Sequence, residues 1–337
     1  MRQSDRHGFR PLKAQHPPST APCVTVIIPA YNAATTIAES LLSVRRQTLE
    51  NIEIIVVNDG STDRTIEIVR AAQAVDDRVH LVAQTNQGVA IARNTGVAKA
   101  HAPYIALLDA DDLWHPRKLE LQLNALAASG PNTALAYSFS DTIDETGRIL
   151  WASNRIAYEG DCLAILMGHD FIGNGSNALI RREAYLAVGG SDPSLNRAGA
   201  QGGEDWLLAL RIAEKYKFVC EPQVLVGYRR MAGNMSGNAA RMVRSAKIVF
   251  EEFAASHPGY MTELSQCLKD RELWALARLL AEGQFAQLPE FVGEVGSYGR
   301  FVALLPRALY HALRERLGRI SRTIRRLLKN AFGWRVF

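Results

Sequence analysis

The sequence contains few cysteines and no long apolar run. Its four cysteines, Cys23, Cys162, Cys220 and Cys267, are widely separated and form no CxxC pair, which argues against a zinc ribbon or a disulfide scaffold. No segment approaches the roughly 18 consecutive apolar residues that a membrane-spanning helix needs. The N-terminal residues also lack the apolar core of a signal peptide. We therefore expect a cytoplasmic protein that meets the inner face of the cell membrane, if at all, as a peripheral protein.

Acidic residues are nearly absent from the C-terminal end of the chain. Residues 300–337 contain nine Arg and one Lys but only one acid, Glu315, so this segment carries a formal charge of +9 within a total of +5. The other residues together are therefore slightly acidic. The full composition of 47% hydrophobic and 22% charged residues is that of a globular protein and excludes collagen-like or wholly disordered classes.

Short apolar runs alternate with helical patterns from residue 24 onward. Alternation of this kind predicts right-handed βαβ crossovers and an α/β fold, with a mixed, mostly parallel sheet flanked by helices. We predict strands over residues 24–28, 53–58, 79–83, 104–108, 134–139, 176–180 and 224–228. Residues 1–22 are predicted to form a disordered leader, 23–238 a catalytic domain and 239–337 a helical extension.

Polar residues follow several predicted strands, at the edge where ligands bind in open α/β sheets. Asp109, Asp111 and Asp112 follow the fourth strand, and three carboxylates so close together repel one another unless a cation offsets them. Mg²⁺ or Mn²⁺ carrying a substrate diphosphate suits such ligands; helix capping is the alternative, but it accounts for only one of the three. Asp59 follows the second strand and is predicted either to contact a nucleobase or ribose, or to hydrogen-bond its own turn.

Several motifs, in order along the chain, resemble the signatures of family 2 glycosyltransferases. They are residues 24–32 (VTVIIPAYN), 56–63 (VVNDGSTD), 86–96 (NQGVAIARNTG), 107–112 (LLDADD), 188–190 (VGG) and 203–206 (GEDW). The resemblance covers residues 23 to about 236. It implies a GT-A-type fold that binds a nucleotide sugar, usually a UDP-sugar, with a divalent cation, Mn²⁺ or Mg²⁺. It also implies transfer of the sugar, with inversion, to the hydroxyl of a saccharide or lipid-linked saccharide acceptor.

The resemblance assigns residues to donor and metal binding. The nucleotide-sugar site would be formed by Pro29, Ala30, Tyr31, Asn32, Asp59, Arg93, Asp109 and Asp111. The metal would be bound by Asp109, Asp111 and Asp112. Within the first group, Asp59 would contact the base. Arg93 would hold the nucleotide or the acidic cluster, and a structural ion pair is an equally open interpretation.

The resemblance makes Asp205 the general base and Glu204 a contact to the acceptor. A carboxylate on the face opposite the leaving group removes the proton of the attacking hydroxyl. From the residues alone, an acidic first turn that complements the dipole of the following helix is an equal alternative. Many family members have a histidine after the Tyr-Arg pair near residue 229, whereas this chain has Met231. The departure leaves open whether Arg229, Arg230 or water replaces that histidine.

Residues 306–334 have the pattern of a basic amphipathic helix. Apolar residues recur every three or four positions among arginines: Leu309, Leu313, Leu317, Ile320, Ile324 and Leu328. Such a helix binds an anionic membrane surface or packs its apolar stripe on the catalytic domain. Membrane binding would place the enzyme beside a lipid-linked acceptor, as in the assembly of cell-surface polysaccharide or lipopolysaccharide.

Three other functions remain as alternatives. A catalytically inactive scaffold with the same fold has only Met231 in its favour, and the intact acidic clusters argue against it. Nucleic-acid binding by the arginine-rich tail is not expected, because its regular apolar stripe fits a bilayer or a protein surface better. A nucleotidyltransferase is disfavoured because no Gly-rich, Arg-containing loop follows the first strand.

Overall fold

The first half of the chain forms the parallel part of a nine-stranded sheet. The structure is a computed structural model that describes residues 21–153, 155–200, 202–231 and 234–314. Strands in the order β3-β2-β1-β4 pair in parallel. Their bounds are β1 Val24–Ala30, β2 Ile52–Asp59, β3 Val79–Gln84 and β4 Tyr104–Leu107. The connections contain helices α1 Ile37–Arg45, α2 Thr65–Gln73 and α3 Val89–Lys99, as the alternating sequence pattern predicts.

The second half continues the same sheet with mixed pairing. The strands are β5 Leu113–Trp114, β6 Thr133–Ile143, β7 Ile149–Ala152, β8 Leu179–Arg181 and β9 Lys217–Arg229. β8 lies antiparallel between β4 and β6, and β9 pairs in parallel with β6 and antiparallel with β5. The helices are α4 Lys118–Ala128, α5 Leu163–Gly168, α6 Arg182–Ala187, α7 Ser194–Arg197 and α8 Glu204–Ala213. The predicted α/β class and mixed sheet are confirmed, with parallel pairing concentrated in the first half.

The strand predicted over 176–180 begins only at Leu179. The reason lies in Asn177, whose side-chain amide takes the place of backbone pairing with the neighbouring strand. Its Oδ1 accepts a hydrogen bond from the Ser138 amide at 2.9 Å, and its Nδ2 donates to the Ser138 carbonyl at 2.7 Å. The side chain of Asn177 therefore continues the contact with β6 in the residues just before β8 begins.

The parallel strands bury both faces, as their continuous apolar runs predict. Along β1, Val26 and Ile28 pack on one face, and Ile27 packs on the other. Helix α3 approaches β1 so closely that a Cβ atom on Gly96 would lie 2.5 Å from Ile27 Cγ2. Only glycine allows the helix and strand to pack at this separation.

The helical extension packs against the α/β part of the chain. It consists of α9 Ala239–Ser256, α10 Met261–Glu282, α11 Leu288–Val295 and a further helix over residues 298–314. Val249, Phe253, Leu264 and Cys267 from α9 and α10 belong to the same buried cluster as Trp206 of α8. The predicted division at residue 239 stays a prediction, but the parts on either side of it share one hydrophobic core.

Only the beginning of the predicted amphipathic helix falls within the described residues. Positions 315–334 of that helix, and positions 1–20 of the predicted leader, lie outside them. In the part of the chain that the structure describes, no helix combines the length and the apolar character needed to cross a bilayer.

Candidate active site

A cleft of about 490 Å³ opens beside the C-terminal ends of the central strands. Four predicted site residues line it: Arg93, Asp109, Glu204 and Asp205. Its walls also include residues that the sequence analysis did not single out: Ser140, Thr142, Trp151, Asp170, Asn174, Tyr228, Asp270, Arg271, Trp274 and Arg278. Helix α10 supplies the last four, so the helical extension forms one wall of the cleft.

Arg93 lies at the centre of the acidic side chains of the cleft. Its side chain is only 3% exposed, and its Nη2 donates to Asp109 Oδ1 at 2.7 Å. Burial lowers the pKa of Arg93, but the negative charges of Asp109, Glu204 and Asp205 outweigh burial and raise it. The guanidinium therefore stays charged and partly neutralises these acids. The structure contains the ion pair that the sequence left open, and a contact to the nucleotide stays a prediction.

Glu204 and Asp205 form the first turn of α8. Gly203 precedes them with a φ of +89°, a left-handed conformation that few residues other than glycine adopt. Glu204 is buried, whereas Asp205 is only partly buried. Asp205 Oδ1 accepts a hydrogen bond from the adjacent Trp206 amide at 2.9 Å. The two acids thus complement the helix dipole and also face the cleft.

The pKa of Asp205 is raised to about 6, chiefly by burial and then by the neighbouring charge of Asp170, while Arg93 opposes the shift. A carboxylate in this range is mostly ionised at neutral pH, yet it is a stronger base than an ordinary aspartate. Perturbed carboxylates in a cleft are typical of catalytic sites. The role of Asp205 as base stays a prediction.

Asp170 and Arg271 were not identified from the sequence. Arg271 of α10 donates from Nη2 to Asp170 Oδ2 at 3.0 Å, and its guanidinium lies 4.3 Å from the centre of the Trp206 ring. Asp170 Oδ1 also accepts from the Gly173 amide at 3.2 Å. Because the two residues of this ion pair are 101 positions apart, no local pattern could have paired them.

The three aspartates after β4 have different environments. Asp112 is fully buried; its Oδ2 accepts from Ser176 Oγ at 2.5 Å and its Oδ1 from the Arg229 amide at 2.7 Å. Burial and the charge of Asp111 raise the pKa of Asp112 well above its ordinary value. Burial and the charge of Asp109 raise the pKa of Asp111 to about 6. Burial is the larger cause of both shifts, and the repulsion between neighbouring carboxylates, on which the metal prediction rests, adds to it.

No group of three His, Cys, Asp or Glu side chains is arranged to hold a metal ion among the residues described. Both oxygens of Asp112 already accept hydrogen bonds from the protein. The assignment of Asp109, Asp111 and Asp112 to a metal therefore stays a prediction. The structural observations favour Asp109 and Asp111, which are partly exposed, as the carboxylates that a cation could reach.

Asp59 lies at the end of β2, outside the residues that line the cleft. Its carboxylate is 3% exposed and accepts hydrogen bonds from Gln84 Nε2 and from the amides of Gln87 and Gly88, at 2.8 to 2.9 Å. These bonds attach β2 to the start of α3. The partners are 25 to 29 residues away rather than in the turn that follows Asp59, so these bonds are not the interaction with its own turn that was the alternative, and the contact of Asp59 with a base stays a prediction.

The turn after β1 also lies outside the cleft-lining set. Pro29 and Ala30 end β1, and Tyr31 is 53% exposed. Asn32 has a φ of +48°, and its Oδ1 accepts from the Thr62 amide at 2.8 Å. The turn is thus held against the loop after β2, beside Asp59, and its place in a nucleotide pocket stays a prediction.

The two arginines before Met231 differ in what they contact. Arg229 is 2% exposed, and its guanidinium donates to the Asp111 carbonyl at 2.7 Å and to Glu39 Oε2 at 2.6 Å. Arg229 therefore fixes the position of the loop after β4 that contains the three aspartates. Arg230 instead lines the cleft and pairs with Glu282. Of the two, Arg230 is the one placed to contact a ligand in the cleft.

Residues 25–189 match the family model described as glycosyl transferase family 2. The chain is 39% identical over 250 residues to the putative teichuronic acid biosynthesis glycosyltransferase TuaG of Bacillus subtilis, covering 70% of this chain and 90% of that protein. The chain belongs to glycosyltransferase family 2. It spans 74% of a Rickettsia typhi glycosyltransferase at 30% identity. It spans only 20% and 59% of the length of two other relatives, from Rickettsia bellii and Haemophilus influenzae.

Solved structures of GT-A-type glycosyltransferases have folds similar to that of this family 2 chain. The Staphylococcus aureus TarS fragment 1–349, in complex with UDP-GlcNAc, has a TM-score of 0.60 at 15% identity and covers 90% of this chain and 91% of that one. The mannosyltransferase PcManGT of Pyrobaculum calidifontis, in complex with GDP-Man and Mn²⁺, has a TM-score of 0.56 at 23% identity, covering 89% and 88%. The predicted family and fold are confirmed.

Proposed function

We propose that this family 2 chain transfers a sugar from a nucleoside-diphosphate sugar to an acceptor hydroxyl during polysaccharide or lipopolysaccharide assembly. The observation that carries the proposal is the position of Asp205, a carboxylate with a pKa of about 6, in the same cleft as the Arg93–Asp109 pair. The name of TuaG refers to teichuronic acid biosynthesis, and the titles of the fold neighbours name UDP-GlcNAc and GDP-Man. UDP-sugars are our first candidates for the donor.

In this proposal the reaction is a single displacement with inversion. As the acceptor oxygen attacks the anomeric carbon, the bond from that carbon to the nucleoside diphosphate breaks, and Asp205 accepts the proton of the acceptor hydroxyl. Glu204 hydrogen-bonds the acceptor. The buried positive charge of Arg93 lies among the acids of the cleft and so reduces the electrostatic repulsion between them. The expected acid–base contribution is roughly 10²- to 10⁴-fold in rate.

We also propose that Asp109 and Asp111, with Asp112 beside them, hold a divalent cation. The residues fit such an ion, since oxygen ligands suit Mg²⁺ or Mn²⁺. The repulsion between neighbouring carboxylates, which adds to burial in raising the pKa values of Asp111 and Asp112, supports the proposal. A bound cation would offset the charge that develops on the departing nucleoside diphosphate. Asp112, held by Ser176 and Arg229, positions the loop.

Thermal stabilisation and donor hydrolysis across UDP- and GDP-sugars, with and without Mn²⁺, test the function. We expect stabilisation by one nucleotide in the presence of Mn²⁺, its loss in Asp111→Ala, and its retention in Asp205→Asn together with a loss of turnover. Asp77→Ala removes an exposed aspartate far from the cleft and should behave like the wild type. A folded protein that binds no nucleotide under any condition would favour the inactive scaffold.

We further propose that the C-terminal helix binds an anionic membrane surface. In the helix over residues 298–314, Ala308 and Ala312 are buried, whereas Leu309 and Leu313 of the apolar stripe are 48% and 58% exposed. The stripe thus begins on a side of the helix that does not pack on the domain. Exposed Arg307 and Arg314 flank it, which suits a helix lying in the headgroup region.

Flotation with vesicles tests this second proposal. Full-length protein should float with vesicles containing phosphatidylglycerol more than with vesicles of phosphatidylcholine alone. Leu309→Glu with Leu313→Glu should reduce flotation, whereas Val75→Glu, at a position that is 70% exposed on another surface, should not. Equal recovery of the wild type and the double variant would contradict the proposal. A truncation before Arg300 is less informative, because it would uncover the apolar cluster around Ala308.

A further inference from the structure

One face of α10 runs outward from the proposed base along the wall of the cleft. Arg271, Trp274 and Arg278 follow one another at intervals of three and four residues, so they share a side of the helix. Arg271 lies against Asp170 and Trp206, next to Asp205. Arg278 lies about 10 Å further along the helix axis. A molecule that extends from the base toward the mouth of the cleft would therefore contact this face.

Two arginine–tryptophan pairs occupy the outer part of the wall. The guanidinium of Arg278 lies 5.4 Å from the Trp274 ring centre, and that of Arg230 lies 4.9 Å from the Trp151 ring centre. Trp274 is 48% exposed although it lines the cleft. The flat apolar face of an indole can pack against the C–H face of a sugar ring. Each pair thus combines a stacking surface with a fixed cation.

The two guanidinium groups converge on one carboxylate. Arg230 and Arg278 both contact Glu282 Oε1, the latter at 3.0 Å. Burial and the charge of Arg230 lower the pKa of Arg278, and Glu282 only partly opposes the shift. The side chains of the two arginines are 13% and 8% exposed, so their positive charge is held in a largely dry environment. An anion brought to this place would relieve their repulsion.

We propose that Trp274 with the Arg230–Arg278 pair forms an acceptor subsite for an acidic saccharide, one bearing a carboxylate or a phosphate group. The inference rests on the proposed glycosyl transfer and specifies its acceptor. A sugar ring of the acceptor packs on Trp274, its anionic group is bound by the two guanidiniums, and the hydroxyl to be glycosylated reaches Asp205. Arg is the side chain suited to both groups, because its planar fork binds carboxylate or phosphate in a bidentate manner.

Binding of three defined probes to the full chain tests the subsite. The probes are a tetrasaccharide of galacturonic acid, a glycerol-phosphate oligomer and neutral maltotetraose, measured by calorimetry with the nucleoside diphosphate present. We expect at least one charged probe to bind roughly tenfold more tightly than the neutral one, and its identity tells carboxylate from phosphate. Equal binding of all three, or binding of none by a protein that still binds nucleotide, would overturn the inference.

Variants of the two charges give effects in opposite directions. Arg278→Gln should weaken binding of the charged probe roughly tenfold and leave binding of the neutral probe unchanged. Glu282→Gln, which keeps the shape of the side chain and removes its competing charge, should make the charged probe bind more tightly. Trp274→Ala, at a half-exposed position that tolerates truncation, should weaken both. Arg70→Gln, at an exposed position on α2, is the control. A charged probe that binds equally to Arg278→Gln and Glu282→Gln would contradict the proposal.

The outcomes separate this inference from the proposed function. If the wild type binds no nucleotide, the proposed glycosyl transfer fails irrespective of the subsite. If nucleotide binding and donor hydrolysis persist in Arg278→Gln while the preference for charged probes is lost, the subsite is supported. If that preference is absent from the wild type while donor hydrolysis is present, only the subsite fails.

Discussion

Replacing Asp205 by Asn should stabilise the protein at pH 7 while abolishing most turnover. The carboxyl has a pKa of about 6 in the folded protein, compared with about 3.9 in an unfolded chain. Between these values the folded state binds more protons than the unfolded state, so stability is lost as pH rises. The difference of roughly 2 pKa units corresponds to about 3 kcal/mol of unfolding free energy at pH 7, and about half of that at pH 5. Asn cannot ionise and avoids this cost.

The structural alternative predicts the opposite sign. If Asp205 only complements the dipole of α8, its neutralisation should cost roughly 0.3 to 1 kcal/mol. Denaturant unfolding of the wild type and Asp205→Asn at pH 5 and pH 7 distinguishes the two, because the titration of Asp111 and Asp112 is common to both proteins and cancels. Glu67→Gln, at an exposed acid in the first turn of α2, measures the dipole effect alone.

The kinetic part of the same prediction concerns pH. The acid limb of kcat/KM in the wild type should rise through about pH 6, because the base must be ionised to accept a proton. Asp205→Asn should lower turnover roughly 10²- to 10⁴-fold with nucleotide binding retained. A variant that is less stable than the wild type at pH 7, or that keeps full turnover, would refute the reasoning.

Three further predictions concern the scaffold. Gly96→Ala should destabilise by roughly 1 to 3 kcal/mol, because its Cβ would lie 2.5 Å from Ile27, whereas Gly293→Ala in α11, with nothing within 4 Å, should stabilise by roughly 0.5 to 1 kcal/mol; the reverse order in denaturation would contradict this. Burial lowers the pKa of Lys118, so between pH 7 and pH 9 the unfolded protein binds more protons than the folded protein. The free energy of unfolding should therefore rise with pH over this range, and Lys118→Met should remove much of that rise. Arg229→Lys should lower the unfolding free energy by roughly 2 kcal/mol, since lysine cannot reproduce the three hydrogen bonds of the buried Arg229 guanidinium.

Local sequence patterns were sufficient to predict the fold class, and two acids predicted from a pattern or from the family resemblance lie at the cleft. The alternation of buried strands and helices implied βαβ crossovers, and polar residues directly after a strand had to gather at one edge of the sheet. Asp109 after β4 and Asp205 at the start of α8 both line the cleft. Ordered motifs along the first part of the chain also identified the family, since each motif is contiguous and needs no knowledge of packing.

Tertiary packing alone decided which of these acids are accessible and what surrounds them. Asp111 and Asp112 are adjacent in sequence, yet Asp112 is enclosed by two residues from distant parts of the chain, Ser176 in the turn before β8 and Arg229 at the end of β9. The outer wall of the cleft depends on α10, whose polar face gives no local sign of its partner. The Asp170–Arg271 pair joins positions 101 residues apart. Hydrophobic periodicity determines which face of a helix is buried, but not the element on which that face packs; the partner follows only when the whole core is assembled.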